Sequence, residues 1–253
     1  RSESGCPWDR AQTHKSIRMN FIEETYEVCE AIDNEDVALL REELGDVLLQ
    51  VVFHAQIEAE AGTFTIDDVV DEICKKLVVR HPHIFGETVA RDAETVLDNW
   101  DTIKRGQKGH TTHHAAMDSI ARSLPALMRA EKLQNKARKA GFDWDSIDGA
   151  EDKLFEELRE MKEAKEDPEH LREEAGDFLF AAVNLVRFLK INPEEALDYA
   201  NEKFLRRFGA MECAAEQNGQ SLETLSLAEM DKLWDEVKQL EGGTGHTTPD
   251  ALR

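Results

Sequence analysis

Leu40-Arg41-Glu42-Glu43-Leu44-Gly45-Asp46 returns as Leu171-Arg172-Glu173-Glu174-Ala175-Gly176-Asp177, 131 positions further along the chain. Recurrence at a long fixed period is the mark of a duplicated structural unit. Four other landmarks keep the same order. Glu23-Glu24-x-x-Glu27 matches Glu156-Glu157-x-x-Glu160, and Gly5-Cys6-Pro7-Trp8-Asp9 is echoed by Gly141-Phe142-Asp143-Trp144-Asp145. The pair Lys76/Arg80 matches Lys203/Arg207, and Trp100-x-x-Ile103-Lys104 matches Trp234-x-x-Val237-Lys238. The shifts all lie between 127 and 136, so the chain reads as two copies of one domain. The copies are expected over residues 1–106 and 119–241. A polar linker without helical periodicity is expected over 107–118, and a flexible tail over 242–253.

The composition says what kind of domain is repeated. Of 253 residues, 41% are hydrophobic and 33% charged, enough apolar content for a folded core. Aromatics are sparse, with only 6 Pro and 14 Gly, which favours helices over sheets. Periodicity predicts helices over 15–33, 35–61, 66–80 and 92–105 in the first copy. In the second copy it predicts them over 121–140, 150–166, 168–190, 193–217 and 226–240. Pro168 and Pro193 suit first-turn positions. The fold class is therefore all-α, two tandem small helical bundles.

The formal net charge is −22, which argues against nucleic acid and anionic membrane as partners, since both need a basic footprint. No apolar run is long enough to span a membrane, and no secretory signal is visible. The chain opens at Arg1 rather than Met, as a chain with a further upstream piece would. Cys6, Cys29, Cys74 and Cys213 form no CxxC pair and no disulfide framework. A reducing, cytoplasmic compartment is expected.

The chemistry should sit on the repeated acidic helices. From Val47 to Phe53 the first is apolar on every side except at Gln50, and a helix that is hydrophobic all round is normally buried. Glu43, Asp46 and Gln50 fall on one narrow strip of it. Glu174, Asp177 and Asn184 repeat that strip on a helix that is otherwise apolar from Phe178 to Leu189, apart from Arg187. Carboxylates on a buried helix are costly unless a cation or donor compensates them. On the neighbouring helix Glu24 and Glu27 share a face at i,i+3, as do Glu157 and Glu160. If the two helices pack antiparallel, four carboxylates converge. With no His or Cys among them they suit a hard cation, Mg²⁺ or Mn²⁺, rather than zinc. A di-iron bundle would need two Glu-x-x-His pairs; the nearest pattern, Asp167 with His170, has the wrong acid and Pro168 between.

For a single copy the bland reading, a solvated acidic face, would prevail. Two copies with matched spacing on apolar helices shift the balance to a metal site. Lys76/Arg80 and Lys203/Arg207 read alone as solvent-facing charge, and beside a metal as a grip on phosphate oxygens. Trp100 and Trp234, read alone, are more often core than ligand-stacking residues. His110, His113 and His114 suit a linker, and His81 and His83 carry no assigned role.

At these residues the chain resembles the MazG family of nucleoside triphosphate pyrophosphohydrolases. The stretches that carry the resemblance are Cys6-Pro-Trp-Asp9, Glu23-Glu-Thr-Tyr-Glu27, Glu43-Leu-Gly-Asp46, Arg80-His-Pro-His83, Arg122-Ser-Leu-Pro-Ala-Leu-Met-Arg-Ala130, Gly141-Phe-Asp-Trp144, Glu174-Ala-Gly-Asp177 and Asn201-Glu-Lys-Phe204. They cover nearly the whole chain, which resembles the long two-domain form. The resemblance implies hydrolysis of a nucleoside triphosphate to a monophosphate and pyrophosphate. It implies metal at Glu157, Glu160, Glu174 and Asp177, where spacing alone does not choose Glu174 over Glu173, with a second set at Glu24, Glu27, Glu43 and Asp46. It also implies that Lys153, Lys203 and Arg207 hold the triphosphate, that Trp234 and Lys238 contact the nucleoside end, and that a homodimer forms. Glu156 or Glu157 is the expected orienter of the attacking water.

The copies are unequal. Lys153 stands four residues before Glu157, whereas Asn20 stands at the matching place before Glu24. The second copy is therefore expected to be the main triphosphatase site. Two rival expectations remain: a related dUTP or phosphoribosyl-ATP pyrophosphatase, and a non-enzymatic helical scaffold stabilised by metal.

Overall fold

The computed structural model describes residues 1–86 and 112–243, with Val96, Trp100 and Ile103 between them. Among these residues every regular element is a helix, as expected for an all-α chain. The chain divides into two compact units, Arg1–Gly109 and His110–Arg253.

The first unit contains α1 (Pro7–Ala11), α2 (Arg18–Asp33), α3 (Val37–Ala61), α4 (Ile66–Arg80) and α5 (Pro82–Phe85). Its centre is the long antiparallel-type pairing of α2 with α3 across the tight turn at Asn34–Asp36. Asp36 starts α3 by accepting the backbone N–H groups of Ala38 and Leu39, which satisfies two of the free donors at a helix start. Gly62 ends it in the left-handed region at φ 73°, a conformation that glycine adopts without a Cβ penalty. Thr65 and Asp68 then form a reciprocal capping box that opens α4,. The N-terminal segment is tied to α3 by His14 Nε2 to Glu58 Oε1 at 2.7 Å and by Arg1 to Glu60 at 3.0 Å. Trp100, expected to be a core residue, meets the His81 ring edge-on with centroids 4.8 Å apart.

The second unit contains α6 (His113–Asp118), α7 (Ala126–Lys139), α8 (Ile147–Glu163), α9 (Pro168–Phe188), α10 (Pro193–Gln217) and α11 (Leu227–Gly243), with 3-10 turns at Ala164–Glu166 and Leu222–Thr224. Here α8 and α9 make the central pair, α7 packs on α9, and α11 packs on α10. Asp167 and Asn192 cap α9 and α10 through their side chains, each followed by a proline in the first turn,. The core is built largely of small residues, Ala150, Ala164, Ala181 and Ala215 with Val183, Met211 and Val237, which let the helix axes come close. Gln134 crosses from α7 to the carbonyl of Phe180 at 2.8 Å. Arg187 near the end of α9 reaches back to Asp143 at 2.7 Å and to Asn184 at 2.7 Å. It thereby fixes the Gly141-Phe-Asp-Trp144 segment against that helix. Trp144 lies directly on Gly149, where any added Cβ would collide with the indole.

Several expectations need correction. Helix α7 begins at Ala126 rather than 121, because Pro125 occupies its N-cap. Residues 113–118, read as linker, form α6, started by Thr112 accepting the N–H of Ala115. The short helices α1 and α5 were not expected. Of the helix expected over 92–105, only Val96, Trp100 and Ile103 are described, and they are helical. Lys104, His110, the rest of that helix, residues 107–111 of the linker and tail residues 244–253 lie outside the described residues.

The larger correction concerns burial. The α2 helix covers only the strip of α3 that carries Glu43 and Gln50, each 9% exposed. The opposite side is open, with Leu44, Leu48, Leu49 and Val52 exposed and Leu48 at 60%. In α9 likewise Asn184, Ala181 and Val183 are buried while Leu179 and Phe180 are exposed. An apolar circumference thus marks two helix sides within one chain, one covered and one open, rather than a helix enclosed within it.

Because α10 carries Lys203 and Arg207, its start matters to the site. Asn192→Ala removes the acceptor for the N–H groups of Glu194 and Glu195. It is expected to cost about 1 kcal/mol, read as a lower urea midpoint with an unchanged slope.

Candidate metal centre

In the second unit α8 presents Glu157 and α9 presents Glu174 and Asp177, and one carboxylate oxygen of each lies within 4.8 Å of the others. Glu157 is only 5% exposed. An octahedral hard cation sets its oxygen ligands about 3 to 4 Å apart, so this all-oxygen cluster fits Mg²⁺ or Mn²⁺ in both donor type and spacing. Two cationic or protonatable groups already lean on it. Lys153 Nζ sits 2.5 Å from Glu157 and 3.5 Å from Glu156, and His170 Nε2 sits 2.9 Å from Glu174. The Glu157 hydrogen bond raises the Lys153 ammonium above its ordinary range, against the opposing effect of burial,. Glu160 follows on the same face of α8 but is not part of the close trio.

In the first unit the close trio is Glu24, Glu27 and Glu43, with Asp46 outside it. Gln50 Nε2 donates to Glu24 at 3.4 Å. No lysine, arginine or histidine is paired with these carboxylates among the described residues. Burial pushes the carboxyl of Glu24 up, and the charges of Asp46 and Glu27 push it further. Glu27 is raised by burial and then by Glu43; Glu43 is raised by burial and then by Asp46. The same seam of acids is therefore neutralised in part within one unit and left strained in the other.

The remaining expected site residues form a separate group on α10 and α11. Arg207 Nε donates to Glu241 at 2.7 Å, and Arg206 Nε to the other oxygen of Glu241 at 3.0 Å. Trp234 packs against Phe204 with ring centroids 5.4 Å apart. Lys203 lies over the Tyr199 ring at 5.5 Å, and Lys238 pairs with Asp235 at 2.7 Å. No hydrogen bond or ion pair among the described residues joins this group to the carboxylate trio. Lys153, expected to hold phosphate, lies beside the carboxylates. His170 and Glu241 were not singled out from the sequence as site residues. Both had a periodic signal: His170 precedes Glu174 by four, and Glu241 follows Trp234 by seven and Lys238 by three, all on one helix side.

A family model described as the MazG nucleotide pyrophosphohydrolase domain matches residues 12–85 and 148–209. Each stretch contains one complete acidic seam. The chain belongs to the MazG family. Its relatives include the nucleoside triphosphate pyrophosphohydrolase/pyrophosphatase MazG of Thermotoga maritima, 47% identical over 94% of this chain and 91% of the relative. The nucleoside triphosphate pyrophosphohydrolase of Escherichia coli K12 is 45% identical over 94% of this chain and 92% of the relative. The protein YabN of Bacillus subtilis is 50% identical over 95% of this chain, but the match spans only 50% of YabN. The MazG family match falls on both repeats, so membership rests on the tandem architecture as well as on the acidic motifs.

The raised carboxyls of the first unit fix a pH dependence. A carboxyl whose folded value lies above its unfolded value contributes stability while it holds its proton, and that contribution is lost as pH rises through the folded value. In a chelator, hydrogen-exchange protection of α2 and α3 should therefore fall as the pH is raised above the ordinary carboxylate range. Mg²⁺ should restore it. Glu43→Gln should flatten the pH dependence and weaken the Mg²⁺ effect; a variant that tracks the parent at every pH would refute this reading.

Proposed function

We propose that this MazG-family chain hydrolyses nucleoside triphosphates between the α and β phosphates, giving a nucleoside monophosphate and pyrophosphate, mainly in the second unit. The observation that carries the reading is the placement of Lys153 against the trio of Glu157, Glu174 and Asp177, an arrangement with no counterpart at Asn20 in the first unit. The domain assignment proposed is 1–106 for the N-terminal copy and 119–241 for the C-terminal one.

Glu157, Glu160, Glu174 and Asp177 would hold Mg²⁺, with Mn²⁺ as the alternative. Such an ion supplies charge stabilisation to the phosphate oxygens and lowers the pKa of bound water. Lys153, paired with Glu157, would offer its ammonium to a phosphate oxygen of the bound substrate. Lys203 and Arg207 grip the triphosphate, and Trp234 and Lys238 meet the nucleoside end. Glu156, more exposed than Glu157, orients the attacking water and takes its proton. The water oxygen bonds to the α-phosphorus, the α–β bridging bond breaks, and pyrophosphate leaves with the bridging oxygen.

Two further points belong to the proposal. The open apolar sides of α3 and α9 suit a second copy of the chain, hence a homodimer. Four free cysteines and the lack of any helix long and apolar enough to cross a membrane, among the described residues, favour the cytoplasm.

Glu174→Ala with Asp177→Ala should abolish pyrophosphate release, while Glu43→Ala with Asp46→Ala should leave most of it. The reverse pattern would move the reaction to the first unit. A panel of NTPs and dNTPs with Mg²⁺ separates the rival readings. Turnover confined to dUTP or phosphoribosyl-ATP would indicate one of the related enzymes. Metal-dependent stability with no turnover of any nucleotide would indicate a scaffold.

A further inference from the structure

The guanidinium of Arg207 is held in an informative way. Its contact with Glu241 runs through Nε, at 2.7 Å, and among the described residues neither terminal nitrogen makes a hydrogen bond. Arg206 approaches the other carboxylate oxygen in the same manner, through Nε at 3.0 Å. The carboxylate thus bridges two neighbouring arginines along one edge of each. Guanidinium carries five N–H donors in a rigid plane. Occupying Nε leaves the end-on fork of the two terminal nitrogens, the edge best shaped for two phosphate oxygens.

A carboxylate that merely plugged the arginine would be expected on that terminal fork. Glu241 is instead placed to set the orientation of the plane. Its own carboxyl is drawn below the usual range, first by the Arg207 hydrogen bond and then by that of Arg206, so it stays charged at neutral pH. The pair is semi-buried, with side-chain exposures of 22% for Arg207 and 30% for Glu241, which limits solvent screening. On α11 the residue continues the side that carries Trp234 and Lys238, and Trp234 already packs on Phe204 of α10.

We infer that Glu241 is a positioning residue for the triphosphate: it holds Arg207 by its Nε edge and leaves the terminal fork open to bind a phosphate group. The inference rests on the phosphate-binding role proposed for Arg207. It assigns Glu241 no contact with substrate; it acts through the arginine, fixing a side chain that would otherwise lose rotamer freedom on binding. The repulsion between a carboxylate and an incoming polyanion is offset because its charge is shared by two guanidinium groups.

The test is a double-mutant cycle in the full-length chain, with Glu241→Gln, Arg207→Ala and the combination. Glu241→Gln keeps size and shape but loses the charge. It should raise KM for the preferred NTP about five- to tenfold, the range of a weakened charge-assisted hydrogen bond, with kcat within about twofold. It should weaken binding of inorganic pyrophosphate with Mg²⁺ by a similar factor in calorimetry. Glu241→Asp should recover part of the loss, and Glu241→Gln should add nothing once Arg207 is alanine. A lowered KM in Glu241→Gln would make Glu241 a plug, and a full penalty persisting without Arg207 would make it a structural tie; either overturns the inference. If the parent protein turned over no nucleotide, the proposed activity would fall. The pyrophosphate affinities of parent and Glu241→Gln would still decide the positioning role, and equal or absent binding in both would overturn it.

Discussion

Everything in each unit depends on a seam where two helices press carboxylates against one another. Helices α2 and α3 bring Glu24, Glu27 and Glu43 together, and α8 and α9 bring Glu157, Glu174 and Asp177 together. Such a seam is unfavourable by desolvation and by like-charge repulsion. Helix packing elsewhere must hold it closed, and an added positive charge relieves it. The two copies answer this constraint differently. The second supplies the Lys153 ammonium and places the His170 ring beside Glu174, both from its own helices. The first has Asn20 and Leu39 at the corresponding positions, and among the described residues it is the amide of Gln50 that reaches in. A duplicated scaffold has thus produced one seam with internal counter-charge and one with none among the described residues, a physical basis for unequal behaviour on the same fold.

The fold was largely legible in the chain. Two helices, Ile66–Arg80 and Pro193–Gln217, begin and end where periodicity and capping residues place them. Thr65 with Asp68, and Asn192 with Pro193, are signals strong enough to locate a helix start without tertiary information. What escaped notice were one- and two-turn helices at Pro7–Ala11, Pro82–Phe85 and His113–Asp118, too short to produce a periodic pattern. Burial escaped as well. Apolar residues around the whole of Val47 to Phe53 are compatible with enclosure inside one chain or with one covered and one open side, and sequence does not distinguish the two.

The candidate site was legible in part, for a related reason. The i,i+3 pairs and the repeated Glu-x-x-Asp identify the acids, since they sit on single helices with fixed geometry. The membership of each close trio depends on the relative rotation of two helices, so Glu160 and Asp46 fall outside it while Glu157 and Glu43 fall within. Pairings between elements are harder still: Glu241 lies 34 residues from Arg207, on another helix. The repeat of Trp100-x-x-Ile103-Lys104 as Trp234-x-x-Val237-Lys238 stops short of Glu241, so no repeated motif marks that residue.

The open leucine and valine side of α3, with its counterpart on α9, has a kinetic consequence. Whatever surface covers it must first approach a chain of net charge −22. Apolar attraction acts only at contact, while repulsion between like-charged molecules reaches out to about 8 Å at physiological ionic strength and about 30 Å at 0.01 M. An acidic partner therefore meets a long-range barrier before any short-range gain, so its encounter rate rises with added salt. A basic partner would meet the reverse.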